Sequence, residues 1–429
     1  MLRAVKVALD PTPRQARQLE SHAGAARFAY NAALTHVRRQ IGGFIGGLDF
    51  SYYALRRWWN EWKGELAPWW PQNGKEAYNT GLEALGAALS NWKKSKDGKR
   101  KGRRVGFPKY KSKSGSAPKV AFTTGFKQPS ACDPNSVRLP RIGRVHTMEN
   151  VAGRVGAGHV TRITVSHHAG RWMAALTVDD TAMAQAAPKP SRRWVGVDLG
   201  VRTLATLSDG TVIANPRNTK RGERRLRHAS RALSRKTVGS ARWRKAKRKV
   251  QRVHAHMADS RMDALNKLTH MLATRYSDIC IEDLNVAGMV RNRSLAKAVS
   301  DCGFAELRRQ LAYKTVRHGS RLHVIDRYHP SSKTCSACGA VKAKLSLAER
   351  TYACAECGLV LDRDLNAAVN IERYAARSAR EALNARGTDT RPATASSGRQ
   401  TVMKREPSSP PGVRLGAGSR KAPMSTRTN

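Results

Sequence analysis

The chain has 429 residues, enough for two to four domains, and 40% of them are hydrophobic, as suits a soluble protein with polar extensions. Lys and Arg number 79 against 31 Asp and Glu, giving a net charge of +48. A compact particle with that charge repels itself unless a polyanion neutralises it, and a merely solvated surface mixes both signs, so the charge points to nucleic acid. No apolar stretch follows Met1 and no run reaches bilayer length, so neither a signal peptide nor a membrane span is expected. Four of the seven cysteines fall in two CxxC pairs, which is not the pattern of a secreted disulfide framework; the chain reads as cytoplasmic.

Residues 2–9, LRAVKVAL, alternate and predict a strand. Thr12 is a suitable N-cap, with Pro13 at the first helical position. Helical periodicity then continues intermittently to about Trp92, and Leu82, Leu85, Leu89 and Trp92 share one face. The aromatic segment containing Tyr52, Tyr53, Trp58, Trp59, Trp62, Trp69 and Trp70 is expected to be core more than a stacking platform. Residues 93–119 are basic and punctuated by Gly, Ser and Pro, as a phosphate-contacting loop would be. Short alternating runs at 120–122, 136–139, 144–146, 161–166 and 172–178 predict a small β-barrel or sandwich. The first strand is placed to pair with it, which makes the helices an insertion. Residues 186–191 read as a linker, and the chain from about Ser378 reads as disordered.

The segment from Trp194 to about Tyr374 carries three acids in meaningful places. Asp198 sits on the apolar strand WVGVDLG, followed by a strand, an Asp209-Gly210 turn and another strand. Glu282 ends the apolar run DICIE, at the strand end where α/β proteins place their sites. Asp364, in DRDLNAAVNI, lies in or just before the first turn of a helix. Taken singly, Asp364 reads as an N-cap and Asp198 as a strand end. The order strand, strand end, helix start is what an RNase H-like nuclease needs. Three acids brought together repel unless cations bridge them, and two Mg²⁺ or Mn²⁺ ions ~4 Å apart would satisfy them and activate water.

Cys335-Ser-Ala-Cys338-Gly and Cys354-Ala-Glu-Cys357-Gly are two matching knuckles. Four thiolates at this spacing make a closed tetrahedral site, so a structural Zn²⁺ is expected in a zinc ribbon. Cys132, Cys280 and Cys302 are isolated and read as packing residues. Residues 217–252 are dense in Arg and Lys and read as a helix pair whose charges, nearly all of one sign, track phosphates. His254, His256, Asp263 and Asn266 are assigned to helix packing and hydrogen bonds.

The ordered set VGVDLGVRTLATLSDG, DICIEDLNVAGM, GFAELRRQLAYK, YHPSSKTCSACG and YACAECGLVLDRDLNAAVNI resembles the TnpB (OrfB) family of transposon-encoded RNA-guided nucleases, relatives of the type V CRISPR effectors. ALDPTPRQARQLESHAGAARFAYN and GFPKYKSK extend the resemblance over nearly everything but the tail. It implies an α/β multidomain chain. A β-barrel wedge domain (1–10 and 115–186) would carry an inserted helical recognition domain (11–114). A RuvC-like nuclease domain (192–328 and 360–377) would carry an inserted zinc ribbon (329–359), and a disordered basic tail (378–429) would follow. It places the catalytic trio on Asp198, Glu282 and Asp364, with Asp362 the tempting wrong choice, and the zinc on Cys335, Cys338, Cys354 and Cys357. It also implies a guide RNA from the transposon end, double-stranded target DNA, a short target-adjacent motif read near Lys75, Tyr78 and Asn79, no membrane partner, and a nucleoid-associated bacterial location. One departure is Asn266, where the family pattern suggests histidine. An unguided RuvC-like nuclease or transposition accessory protein, and a nuclease-dead RNA-guided DNA-binding repressor, are the competing readings, and the intact trio argues against the repressor.

Overall fold

The computed structural model describes residues 2–42, 49–180, 193–346 and 348–387. Strand β1 (Leu2–Asp10) turns Val5, Val7 and Leu9 inward, as its alternation requires. Thr12 then opens α1 (Pro13–Gly42) through a reciprocal cap: its hydroxyl accepts from the Gln15 amide at 3.3 Å, and the Gln15 side chain accepts from the Thr12 amide at 3.0 Å. Helices α2 (Tyr52–Leu66) and α3 (Lys75–Lys96) follow. At Gly81 of α3 the two backbones come so close that a Cβ would collide with the Ala26 carbonyl of α1. The aromatic segment supplies much of this core. Trp59 stacks on Tyr78 with centroids 4.9 Å apart and Phe28 meets Trp69 edge-on at 5.2 Å, while Tyr53 and Trp62 face outward.

Next come β2 (Lys119–Phe122), β3 (Ser136–Leu139), β4 (Gly143–Thr147), α4 (Val151–Val155), β5 (His159–His168) and β6 (Arg171–Asp179). They form one antiparallel sheet in the order β2-β5-β6-β1-β4-β3, so β1 is an interior strand and α1–α3 interrupt the sheet in sequence. One short segment ties edge strand β3 to β5, the neighbour of the other edge strand β2. Lys127 bridges Arg138 of β3, and the Gln128 side chain pairs with both backbone groups of Val160 on β5, each at 2.8 Å. The helices are clasped to the sheet by buried Glu76, which accepts from Thr123 (2.9 Å) and Thr124 (3.0 Å).

The second sheet contains β7 (Trp194–Leu199), β8 (Thr203–Leu207) and β9 (Val212–Ala214), an antiparallel meander. Then α5 (Asn218–Ser234) and α6 (Ala241–Arg275) lead to β10 (Asp278–Glu282), which runs parallel to β7. After α7 (Val286–Met289), α8 (Ala296–Cys302) and α9 (Phe304–His318), β11 (Arg321–Ile325) adds parallel to β10, giving the order β11-β10-β7-β8-β9. A two-stranded ladder, β12 (Thr351–Ala353) and β13 (Val360–Asp362), precedes α10 (Arg363–Gly387). The apolar strands are covered on both faces, as parallel strands must be. Val195, Val197, Ile279 and Ile281 pack in one core with Leu268 and Leu272 of α6 and Leu307 and Leu311 of α9. Cys280 packs on the other face with Ile371 and Ala375 of α10.

Several expectations are corrected. Helix α10 is described as far as Gly387, into the segment expected to be disordered from Ser378, because Ala, Glu, Leu and Arg favour helix. The rest of that tail, and the expected linker at 186–191, lie outside the described residues. Cys280 and Cys302 are buried, but Cys132 is exposed and does not pack. His254 and His256 of α6 are both exposed and do not pack in the core. Asp263 pairs with Lys267 at 2.7 Å instead, whereas Asn266 makes the helix-to-helix hydrogen bonds expected of it, accepting from Lys314 of α9 through its carbonyl (2.9 Å) and its side chain (3.1 Å).

Candidate active site

Sheet register brings the first two acids together. The last aligned pair of β10 and β7 is Ile281 with Val197, so Glu282 and Asp198 come next on adjacent parallel strands, side chains on the same face. That face also bears Gly196, two residues before Asp198, and α10 lies directly over it. A Cβ on Gly196 would collide with the carbonyl oxygen of Ala368 and stand 2.7 Å from the Glu372 amide nitrogen. Asp364 is one helical turn before Ala368 and therefore projects toward Asp198. Burial, reinforced by the nearby charges of Glu282 and Asp364, pushes the Asp198 carboxyl up to about 8.

The second and third acids, Glu282 and Asp364, each have an acidic neighbour with a different task. Asp362 accepts from the amides of Asp364 (2.9 Å) and Leu365 (3.0 Å), so it is the cap of α10 and Asp364 is left facing the strands. Asp283 turns away from Glu282 to pair with Arg308 and, at 2.6 Å, with Arg327. Three further residues border the acids. Ser331 donates its hydroxyl to Glu282, and Arg363 places its guanidinium 3.2 Å from Asp364. His329 packs on Tyr374 with centroids 4.0 Å apart, and burial holds its imidazole below the usual value although Glu282 opposes that shift. Sequence reasoning missed all three. Arg363 was legible as the basic residue between two acids, whereas Ser331 and His329 are remote in sequence and carry no local signal.

The four cysteines meet as expected. Their sulfurs lie within 4.8 Å of one another, with Cys335–Cys357 and Cys338–Cys354 each at 3.6 Å. The two knuckles repeat one geometry. The Cys335 and Cys354 amides donate to the carbonyls of Ala340 and Leu359, each at 2.8 Å, and the turns pass through Gly339 and Gly358 at φ +83° and +72°. The cluster fits a closed structural zinc site. Among the described residues it is the one group of potential metal ligands gathered so tightly; the three carboxylates are set farther apart. Their chemistry, an oxygen-only donor set of like charges, suits hard divalent cations.

Two buried amides join the cysteine cluster to the helix that carries Asp364. Asn366 accepts from the Ser336 amide at 2.9 Å and donates to the Thr334 carbonyl at 2.8 Å. Asn370, one turn later, donates to the carbonyls of Ser331 (2.8 Å) and Thr334 (2.7 Å). Their i, i+4 spacing in an otherwise apolar helix face was the available sequence signal. In the helical region, Lys75 is exposed and Asn79 half-buried, but Tyr78 is core, 1% exposed with its hydroxyl donating to the Trp70 carbonyl at 3.0 Å. Tyr78 therefore does not present a reading edge at the surface, and the expectation narrows to Lys75 and Asn79.

A family model described as "Probable transposase" (OrfB of IS605) matches residues 175–293, a Cas12f1-like TNB domain model matches 304–371, and a helix-turn-helix model matches 1–42. A Mycobacterium tuberculosis (strain H37Rv) protein, provisionally named an RNA-guided DNA endonuclease, is 37% identical over 401 residues, covering 87% of this chain and 86% of its own. The chain belongs to the TnpB (OrfB) family. A Streptomyces pristinaespiralis protein of the same provisional name is 36% identical over 94% of this chain and 96% of its own. InsQ of Escherichia coli K12, likewise named, is 30% identical over 86% and 91%. Among solved structures, a Cas12f1–sgRNA–target DNA complex aligns over 87% of this chain and 99% of that one, at TM-score 0.33 and 15% identity. CasPhi-2 (Cas12j) bound to crRNA aligns at TM-score 0.39 and 10% identity over 87% and 98%. In this TnpB-family chain, residues 2–42 contain β1 and the long helix α1. No helix among the described residues is long and apolar enough to cross a membrane.

Proposed function

We propose that this protein is an RNA-guided, metal-dependent DNA endonuclease of a transposable element, cutting double-stranded DNA beside a short recognition motif at Asp198, Glu282 and Asp364. The carrying observation is the convergence of these acids from β7, the end of β10 and the start of α10, close enough for two of them to raise the third. Family membership and the +48 charge support nucleic acid as the partner. In this reading a guide RNA from the transposon end and the target DNA share that charge. The six-stranded sheet with the segment at Lys127 is the wedge domain (1–10 and 115–186), and α1–α3 are the inserted recognition domain (11–114) with Lys75 and Asn79 at the motif. The five-stranded sheet and α10 are a RuvC-like domain (192–328 and 360–377) with the zinc ribbon (329–359) between its second and third acids. The protein works in the bacterial cytoplasm beside the nucleoid.

Asp198, Glu282 and Asp364 would hold Mg²⁺ or Mn²⁺, which when bound supplies positive charge at the cleaved phosphodiester and acidifies water. The chain's own contribution is position. The parallel register fixes Asp198 beside Glu282, the Gly196 contact sets the height of Asp364, and the Ser331 hydroxyl holds one Glu282 oxygen. Arg363 adds a fixed guanidinium beside Asp364, suited to a phosphate oxygen.

The test is cleavage and binding measured together. Asp198→Ala and Glu282→Ala should abolish cutting of a target duplex while RNA and DNA binding stay near wild type; cutting at the wild-type rate by either variant would sink the assignment. Sequencing the RNA that copurifies separates guided from unguided chemistry, since a guided enzyme retains one discrete species.

A further inference from the structure

Between α5 and α6 lies a cleft of about 450 Å³, away from the three acids in sequence and built on an unusual helix contact. Gly222 lets the helices close together, for a Cβ there would stand 2.5 Å from the Met257 sulfur. Arg221 and Arg225 of α5 and Lys249 and Arg252 of α6 line the cleft, and all four are exposed. None of them forms an ion pair among the described residues, whereas Glu223 on the same helix is already shared by Arg227 (3.6 Å) and Lys297 (2.7 Å). Arg252 is also braced. The turn of the β5–β6 hairpin passes so near that a Cβ on Gly170 would lie 3.2 Å from its guanidinium nitrogen.

Asn218 also lines the cleft, 9% exposed, and its amide nitrogen Nδ2 has no hydrogen-bond partner. A buried donor without an acceptor is costly, and four unpaired cations around it repel one another. Both defects are cured by the same ligand: an acceptor-only anion with several oxygens. We infer that this cleft is a phosphodiester-binding site, in which Asn218 donates to one phosphate oxygen and Arg221, Arg225, Lys249 and Arg252 neutralise that phosphate and its neighbours. It reads no base, because every named contact addresses the backbone. RNA and DNA present the same phosphodiester chemistry, so the site is assigned to that group. The inference rests on the nucleic-acid reading above and deepens it.

The test uses the full chain, without added divalent metal, and two labelled probes: a 20-nucleotide single-stranded RNA and a DNA duplex of the same sequence. Asn218→Leu changes no charge and should weaken binding about tenfold, as loss of a charge-assisted hydrogen bond does. The double variant Arg225→Ala/Arg252→Ala, on exposed positions that leave the fold intact, should lower the slope of log affinity against log salt by about 1.4 on the RNA or about 1.8 on the duplex, two phosphate contacts' worth. The probe that responds identifies the source of the phosphates, and a response with both means either can occupy the cleft. An unchanged salt slope on both probes overturns the site even if Asn218→Leu fails to fold. If the wild-type chain binds neither probe, the nucleic-acid reading itself falls, a result distinct from normal binding that ignores the cleft variants.

Discussion

Gly196 of β7 and Ala368 of α10 meet backbone to backbone, with no space for a Cβ between them. This contact sets how low α10 sits on the sheet, and hence how near Asp364 comes to Asp198. Gly196→Ala should lift the helix, because its clash is with backbone and cannot be relieved by a rotamer change. We expect a loss of about 1–3 kcal/mol, the usual cost of overpacking, read by denaturant unfolding. Cleavage should fall more than binding does. Wild-type stability and cutting together would show that α10 is not held by this contact.

Asp362 and Asp364 are two residues apart and should behave oppositely. Asp362→Ala removes the cap of α10 and should cost about 1 kcal/mol while cutting persists below the melting transition. Asp364→Ala keeps the cap and should leave melting nearly unchanged while cutting disappears. The reverse pattern in paired melting and cleavage assays would reassign the third acid to Asp362.

Zinc should matter to the acids through α10. Cys357→Ser should reduce bound zinc from one ion per chain to none, measured by metal analysis, and lower the melting temperature. Asn366→Ala should keep the zinc yet cost about 1–3 kcal/mol, since it strands the Ser336 amide and the Thr334 carbonyl. Loss of zinc in Asn366→Ala would mean that the amide holds the knuckle itself rather than joining it to the helix.

A pH dependence follows from Asp278, which lies at the end of β10 opposite Glu282. Burial alone would raise this carboxyl, but Arg321 at 2.8 Å, His323 at 2.9 Å and Ser277 at 2.7 Å outweigh it and hold it below the ordinary range. An acid whose folded value is depressed binds fewer protons folded than unfolded, so its stabilisation is present above the unfolded value and is lost as pH falls through the folded one. Asp278→Asn should therefore cost about 2 kcal/mol at pH 7, the scale of hydrogen bonds to a charged group, with the gap closing below about pH 4. A gap that stays constant from pH 7 to pH 3 would show that packing, not charge, makes the difference.

Much of this protein was legible in the sequence because the deciding signals are local. Two CxxCG knuckles need only a turn through Gly339 and Gly358 to form, and the sulfurs meet whatever lies elsewhere. The alternation of residues 2–9, the cap at Thr12 and the apolar runs ending in Asp198 and Glu282 are likewise set by neighbours along the chain. What tertiary structure alone decided is which side chains end up facing one another. Tyr78 looks like a surface reader by position and is core because Trp59 stacks on it. Ser331 reaches Glu282 from forty-nine residues away, and Asn218 shares a cleft with Arg252 because Gly222 lets two helices close. Sequence periodicity fixes the face a residue occupies within its own element. The partner across that face depends on register and helix approach, which long-range packing sets.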